Sequence, residues 1–166
     1  MPPQALFGIS VILSFISWGI IAKRYIWPAL RHLPRSEALR RVLLLHAFRF
    51  VGLSFVIPGV VSRDLPIAYA SPAAYGDLST SILALLAIAT LGSTLGFVLT
   101  WVFNVLGTAD LLYAFYQGNR VDLAAAPGLQ GAAYFIPTVL VPLLLITHAL
   151  VFLLLVKPGG VEVQTT

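Results

Sequence analysis

Residues 135–156 form an apolar run, FIPTVLVPLLLITHALVFLLLV, that contains no acidic residue, no lysine and no arginine. An α-helix needs roughly 20 consecutive apolar residues to cross the hydrocarbon core of a bilayer. The run therefore predicts a membrane-spanning helix, and a second run near the N-terminus, LFGISVILSFISWGIIA, predicts another. A chain with such segments folds with lipid as its main solvent.

The whole composition agrees with a membrane protein. Hydrophobic residues make up 59% of the 166 residues, charged residues only 10%, and the mean hydropathy is +0.95. These values lie outside the range of ordinary soluble domains. We therefore expect one membrane domain covering residues 1–166, with no room for a separate soluble module. The chain has no cysteine, which excludes disulfides, thiolate metal sites and cysteine nucleophiles.

The pattern of apolar runs and turn residues predicts an all-α bundle of five transmembrane helices, followed by a short disordered tail at 157–166. The segment GSTLG, residues 92–96, is expected to be a turn, because a single helix through it would be about twice as long as the bilayer core is thick. The alternative is one continuous, kinked helix in which the two glycines form a packing face. The predicted helices are about 5–23, 37–60, 77–92, 97–117 and 134–156.

Positive charge indicates the orientation of this bundle. Six of the ten lysines and arginines lie between residues 23 and 41. Lysine and arginine accumulate on the cytoplasmic side of membrane proteins. We therefore expect the N-terminus on the outer side of the membrane and the C-terminus on the cytoplasmic side. Nucleic acid is not an expected partner, since the basic segment lacks the interleaved aromatic residues that stack on bases. The expected partners are the lipid bilayer, other membrane proteins or a second copy.

Polar residues occur inside the fourth predicted helix. Asn104 and Asp110 share one face with Gly107 at helical spacing, and the opposite face is apolar. An ionised aspartate at this depth costs roughly 2.5–3.5 kcal/mol unless it is paired. Arg49 is the one lysine or arginine that lies away from the ends of a predicted span, so we predict an Arg49–Asp110 ion pair with Asn104 nearby.

Asp77 follows Gly76 at the predicted start of the third helix. We favour a capping role for its carboxylate, which would stabilise the positive end of the helix dipole. The alternative is that Asp77 joins Arg49 and Asp110 in a polar pocket that opens to the outside.

His46 and His148 lie at matched depths in the second and fifth predicted helices. Facing histidines in a helical bundle can be the axial ligands of a haem b. Hydrogen bonds between helices are the simpler interpretation, and we favour them. The sequence has no phosphate-binding glycine loop, dinucleotide fingerprint or hydrolase motif, so no catalytic or metal site is assigned and enzyme activity is not expected.

Four segments together resemble a group of small multi-spanning bacterial membrane proteins of unknown activity: FRFVGLSF, PIAYASPAAYGDLSTSILALLA, WVFNVLGTADLLYAF and FIPTVLVPLLLITHALVF. They fall within residues 46–155, and Phe103 stands where the group has a tryptophan before the asparagine. The resemblance implies a bacterial plasma membrane location and no particular activity.

The sequence leaves three functional classes open. We favour a non-enzymatic subunit or assembly protein whose helices are held together by buried polar contacts. The residues expected to make these contacts are Arg49, Asn104, Asp110 and His148. The second class is a transporter or binding protein for a small solute or lipid. The third is an electron-transfer protein that carries haem b.

Overall fold

The computed structural model describes residues 1–156, and over these residues the chain is helical apart from turns and connecting loops. The tail predicted at 157–166 lies outside the described residues. Within residues 1–156, four helices are long and apolar enough to cross a membrane. They are Pro3–Leu30, Ile67–Thr90, Thr94–Arg120 and Ile136–Val156.

The first span contains three helical segments, α1 (Pro3–Ile21), a π-helical turn (Ala22–Ile26) and α2 (Trp27–Leu30). The last span also contains a π-helical turn, which here comes first (Ile136–Leu140) and is followed by α6 (Val141–Val156). Each π turn lies just before a proline, at Pro28 and Pro142. Proline has no N–H for the helical ladder, and its ring collides with the preceding turn. A widened turn accommodates that ring at both positions.

The second predicted span, 37–60, is built from two kinds of helix. The segment α3 (Arg35–His46) passes directly into a 3₁₀ helix (Ala47–Val56). Its buried residues Arg49, Gly52 and Phe55 repeat every three positions, and His46 precedes them at the same spacing. A 3₁₀ helix has three residues per turn, so side chains three apart lie in line. The 3₁₀ helix therefore presents one straight buried stripe to the rest of the bundle.

A tight helical hairpin follows, formed by α4 (Ile67–Thr90) and α5 (Thr94–Arg120). The turn predicted in GSTLG is confirmed, since Gly92 has φ = +95° and the Ser93 side chain caps α5 by accepting from the Gly96 N–H at 3.1 Å. A left-handed φ suits glycine because it has no Cβ. The helix α4 begins at Ile67, not near residue 77 as expected. Pro72 lies inside α4 and does not interrupt it.

The helix α4 packs against both the 3₁₀ helix and α5, while α6 packs against α1, α3 and α5. The exposed and buried faces of α5 match the predicted ones: Asn104 and Gly107 are buried, whereas Val105 and Leu106 are exposed. No residue of α1 is buried. The core of the described chain therefore lies among α3 to α6 and the 3₁₀ helix.

Candidate functional site

Arg49 on the 3₁₀ helix is shared by two aspartates. Its Nε donates to Asp77 Oδ1 at 2.7 Å, and its Nη2 lies 2.7 Å from the same oxygen. Nη2 also donates to Asp110 Oδ2 at 2.7 Å. The Arg49 side chain is 0% exposed, against 8% for Asp77 and 18% for Asp110. The structure thus contains the expected Arg49–Asp110 pair and adds Asp77 to it.

The third guanidinium nitrogen of Arg49 is also occupied. Nη1 donates to the Gly107 carbonyl at 3.2 Å and lies 3.3 Å from His148 Nε2. A guanidinium has five N–H donors and no acceptor. The two carboxylates, the carbonyl and the imidazole supply acceptors for all three guanidinium nitrogens, so the protein itself satisfies the buried cation.

These groups meet because their helices place them at equal depth. Asp77 lies ten residues after the start of α4, and Asp110 lies ten residues before the end of α5. At 1.5 Å per residue, each is about 15 Å from the end of its helix. Arg49 lies seven residues before the end of the 3₁₀ helix, or about 14 Å at 2.0 Å per residue. All three side chains therefore lie near the middle of the bundle.

Two glycines make room for the carboxylates. A Cβ at Gly52 would overlap the Asp77 side chain, and a Cβ at Gly76 would overlap that of Asp110. A third glycine, Gly107, would meet the His148 ring at 2.7 Å. The close approach of these helices to the charged groups depends on the missing side chains.

His148 extends the network to Asn104. Since arginine only donates, His148 Nε2 must accept from Arg49, and the ring proton is then on Nδ1. His148 Nδ1 donates to Asn104 Oδ1 at 2.7 Å, while Asn104 Nδ2 donates back to the His148 carbonyl at 3.2 Å. We call the connected set of Arg49, Asp77, Asn104, Asp110 and His148 the polar cluster.

His46 lies next to the polar cluster, but the geometry does not fit the haem hypothesis. The His46 and His148 ring centroids are 4.3 Å apart, and the rings touch each other. Metal–imidazole bonds are about 2 Å long, so two rings with an iron between them would be about 6 Å apart. Both His148 nitrogens are already hydrogen-bonded, and His46 Nε2 lies 2.9 Å from Thr147 Oγ1. As the two rings are placed, they leave no room for an iron between them, so these residues do not fit a haem b.

The capping role expected for Asp77 is wrong. Because α4 begins at Ile67, Asp77 lies inside the helix and is buried. Its carboxylate faces Arg49 rather than the end of a helix. The alternative grouping of Asp77 with Arg49 and Asp110 is the one that the structure contains.

Two spaces adjoin the carboxylates. The first, which borders both Asp77 and Asp110, has a volume of about 10 Å³, which is roughly the space of one water molecule. The second, here called the lateral cavity, has a volume of about 180 Å³ and lies between the 3₁₀ helix and α6. Its lining is apolar except for Arg49 and Asp77. Among the residues at its edge, Phe48 is 64% exposed and Val51 is 41% exposed.

Sequence reasoning missed the contributions of Gly52, Gly76 and Thr147. A signal for the first was present in HAFRFVGLSF, where histidine, arginine, glycine and phenylalanine recur every three residues. That period is typical of a 3₁₀ helix. No comparable pattern marks Thr147, which is an ordinary polar residue in an apolar helix.

The chain belongs to the family described as "Domain of unknown function (DUF8737)", whose model matches residues 6–156. No curated protein and no solved structure shows significant similarity to the chain. The family description assigns no activity, so any function has to be argued from the polar cluster, the cavities and the exposed surface.

Proposed function

We propose that this protein is a non-enzymatic subunit or scaffold of the bacterial plasma membrane, with five membrane crossings, in which the polar cluster locks the helices together. The observation that carries this proposal is that all three guanidinium nitrogens of Arg49 are hydrogen-bonded within the chain. A cation that binds or converts a substrate keeps a donor free for it, whereas no nitrogen of this guanidinium is without a partner.

The fifth crossing in this proposal is α3 together with the 3₁₀ helix. These segments have 12 and 10 residues. With rises of 1.5 and 2.0 Å per residue, they extend over about 38 Å, which exceeds the hydrocarbon thickness of about 30 Å. A crossing here puts Arg49 in the membrane interior, where a satisfied, fully buried cation is the expected arrangement.

Five crossings also agree with the distribution of positive charge. The N-terminus and the loop 57–66 then lie on one side, and the loop 31–34 and the turn 91–93 lie on the other. The second side receives the six basic residues between 23 and 41, and the sequence also gives it Lys157. The first side receives Arg63 and Arg120. By the positive-inside rule, the N-terminus is outside and the C-terminus is inside. The resemblance to small bacterial membrane proteins supports a plasma membrane location.

The polar cluster stabilises the bundle because separating its members has a high cost in free energy. Removing one partner of a buried ion pair destabilises a protein by about 3–5 kcal/mol, because a buried charge is left uncompensated. Arg49, Asp77, Gly107 and His148 come from four different elements, so any helix that moves away leaves a charge or a donor unpaired. The polar cluster thus favours one helix arrangement over others, as buried polar groups do in some bundles.

The surface available to a partner in this proposal is α1. Its exposed apolar residues include Leu13 at 56% and Ile16 at 54%. In the 28-residue span that contains α1, only 6% of the most apolar window is buried inside the protein. A helix held so loosely to its own bundle has most of its surface free for another membrane protein or a second copy.

The test removes the charges of the polar cluster without leaving any charge unpaired. It therefore distinguishes a structural role of the cluster from a role in binding or reaction. The variant Arg49→Met/Asp77→Asn/Asp110→Asn contains no charged group in the cluster. A photoreactive amino acid at Leu13 would report partner contacts in native cells, with the same group at Leu106 on α5 as the control. We expect the same discrete crosslinked complex for the charge-free variant and for the wild type.

Loss of that complex in a charge-free variant that still folds would contradict a purely structural lock. It would favour the second class, a transporter or binding protein that uses the charges. Crosslinks to lipid alone at Leu13, as at the control position, would contradict the subunit role.

A further inference from the structure

We propose that the lateral cavity binds a lipid-soluble alcohol or phenol whose hydroxyl donates a hydrogen bond to Asp77. This inference goes beyond the proposed subunit role, because it assigns a small-molecule site that a structural lock does not require. It rests on the acceptor left at the floor of the cavity, on the volume of the cavity and on the position of its opening.

The floor of the cavity offers an acceptor and no donor. Both Arg49 contacts to Asp77 go to Oδ1. The other oxygen, Oδ2, makes no hydrogen bond with any residue that the structure describes, and it lies against Gly52, which lines the cavity. The donors of Arg49 are used elsewhere. A ligand here must therefore bring its own donor.

This chemistry excludes several occupants. An anionic headgroup would need free donors and would meet the Asp77 carboxylate, which repels it. A purely apolar chain would cover Oδ2 and leave it without a partner, which is unfavourable. A charged amine would lose its hydration among apolar side chains at high cost. A neutral hydroxyl satisfies the carboxylate oxygen without bringing a charge into the cavity.

The volume and the opening suit a ring attached to an alkyl chain. The cavity measures about 180 Å³, and an apolar cavity of about 150 Å³ can hold benzene. Its edge residues Phe48 and Val51 are exposed on the surface of the bundle. In a membrane, that surface faces the acyl chains, so a lipid-soluble molecule can enter from the side.

The experiment uses the full-length protein in phospholipid nanodiscs. The probes are tritiated 4-hexylphenol with a diazirine in its alkyl chain and the matching methyl ether, which cannot donate a hydrogen bond. We expect saturable binding of the phenol, about tenfold or more weaker binding of the ether, and photolabelling of peptides that contain Phe48 or Leu140. Equal affinity of the two probes, no saturable binding, or labelling elsewhere would overturn the proposal.

A variant at the mouth of the cavity gives a second readout. Val51→Trp would block the opening from an exposed position, without changing the polar cluster. Leu44→Trp is the matched control, since Leu44 is 49% exposed and does not line the cavity. Val51→Trp should reduce phenol binding at least tenfold while Leu44→Trp leaves it unchanged. Equal binding by these two variants would also overturn the proposal.

Discussion

Replacing Arg49 with methionine would test how much the polar cluster contributes to stability. Methionine fills a similar volume but supplies no donor. The change leaves the carboxylates of Asp77 and Asp110 without a cation. Removing one partner of a buried ion pair costs about 3–5 kcal/mol. The Gly107 carbonyl loses only a second donor, because it lies inside α5 and keeps its helical hydrogen bond.

We therefore expect Arg49→Met to lower the free energy of unfolding by about 3–5 kcal/mol. That is a large part of the 5–15 kcal/mol that typically separates folded from unfolded proteins. The assay is unfolding in mixed micelles of increasing denaturing detergent, followed by circular dichroism. The exposed loop residue Arg63 provides the control, and Arg63→Met should change stability by less than about 0.5 kcal/mol.

The physical reason predicts a rescue. If the loss comes from uncompensated buried charge, Asp77→Asn and Asp110→Asn should restore most of the stability of Arg49→Met, because both amides have the shape of aspartate without its charge. A single variant that loses less than about 1 kcal/mol, the net worth of one ordinary hydrogen bond, would refute the reasoning. So would a triple variant that is no more stable than the single one.

Three further predictions follow from the same contacts. Asp77→Asn alone should destabilise the protein more than Asp110→Asn alone, because Asp77 receives two of the short Arg49 contacts and is the less exposed carboxylate; equal losses in the same unfolding assay would contradict this. Gly52→Ala should cost about 1–3 kcal/mol, since its Cβ overlaps Asp77, whereas Gly8→Ala has open space inside α1 and should cost nothing or stabilise the helix by up to about 1 kcal/mol. Protein purified from haem-supplemented cells should show no Soret band, because the two histidine rings are in contact with each other; a band lost on mutating either histidine would contradict this.

Helical periodicity was sufficient to predict much of this site. The polar face of α5 could be placed on a helical wheel, and the cost of a buried carboxylate then required Arg49 as the partner of Asp110. The first step works because α5 keeps one helical period along its length. The second works because Arg49 is the one cation deep inside a predicted span. The turn at Gly92 followed from the limited thickness of the bilayer.

The missed features depend on departures from regular α-helix. Two prolines and two tyrosines made residues 62–77 resemble a loop, so the start of α4 was placed too late and Asp77 was assigned to a cap. The 3₁₀ helix changes both the rise and the period around Arg49, so an α-helical rise of 1.5 Å per residue underestimates distances along this segment. The contact between His46 and His148 followed from their matched depth, but depth alone does not give the distance between two rings.

In the proposed topology, α3 and the 3₁₀ helix cross the membrane and carry Arg49 into its interior. Because the chain has no cysteine, one introduced cysteine can be labelled without background. We would place it at His32 or at Arg63, which are exposed and flank the proposed crossing, and treat intact cells with a membrane-impermeant maleimide. With this topology, Arg63→Cys is labelled in intact cells and His32→Cys only after permeabilisation. Labelling of both from the same side would mean that this segment does not cross the membrane and that the proposed topology is wrong.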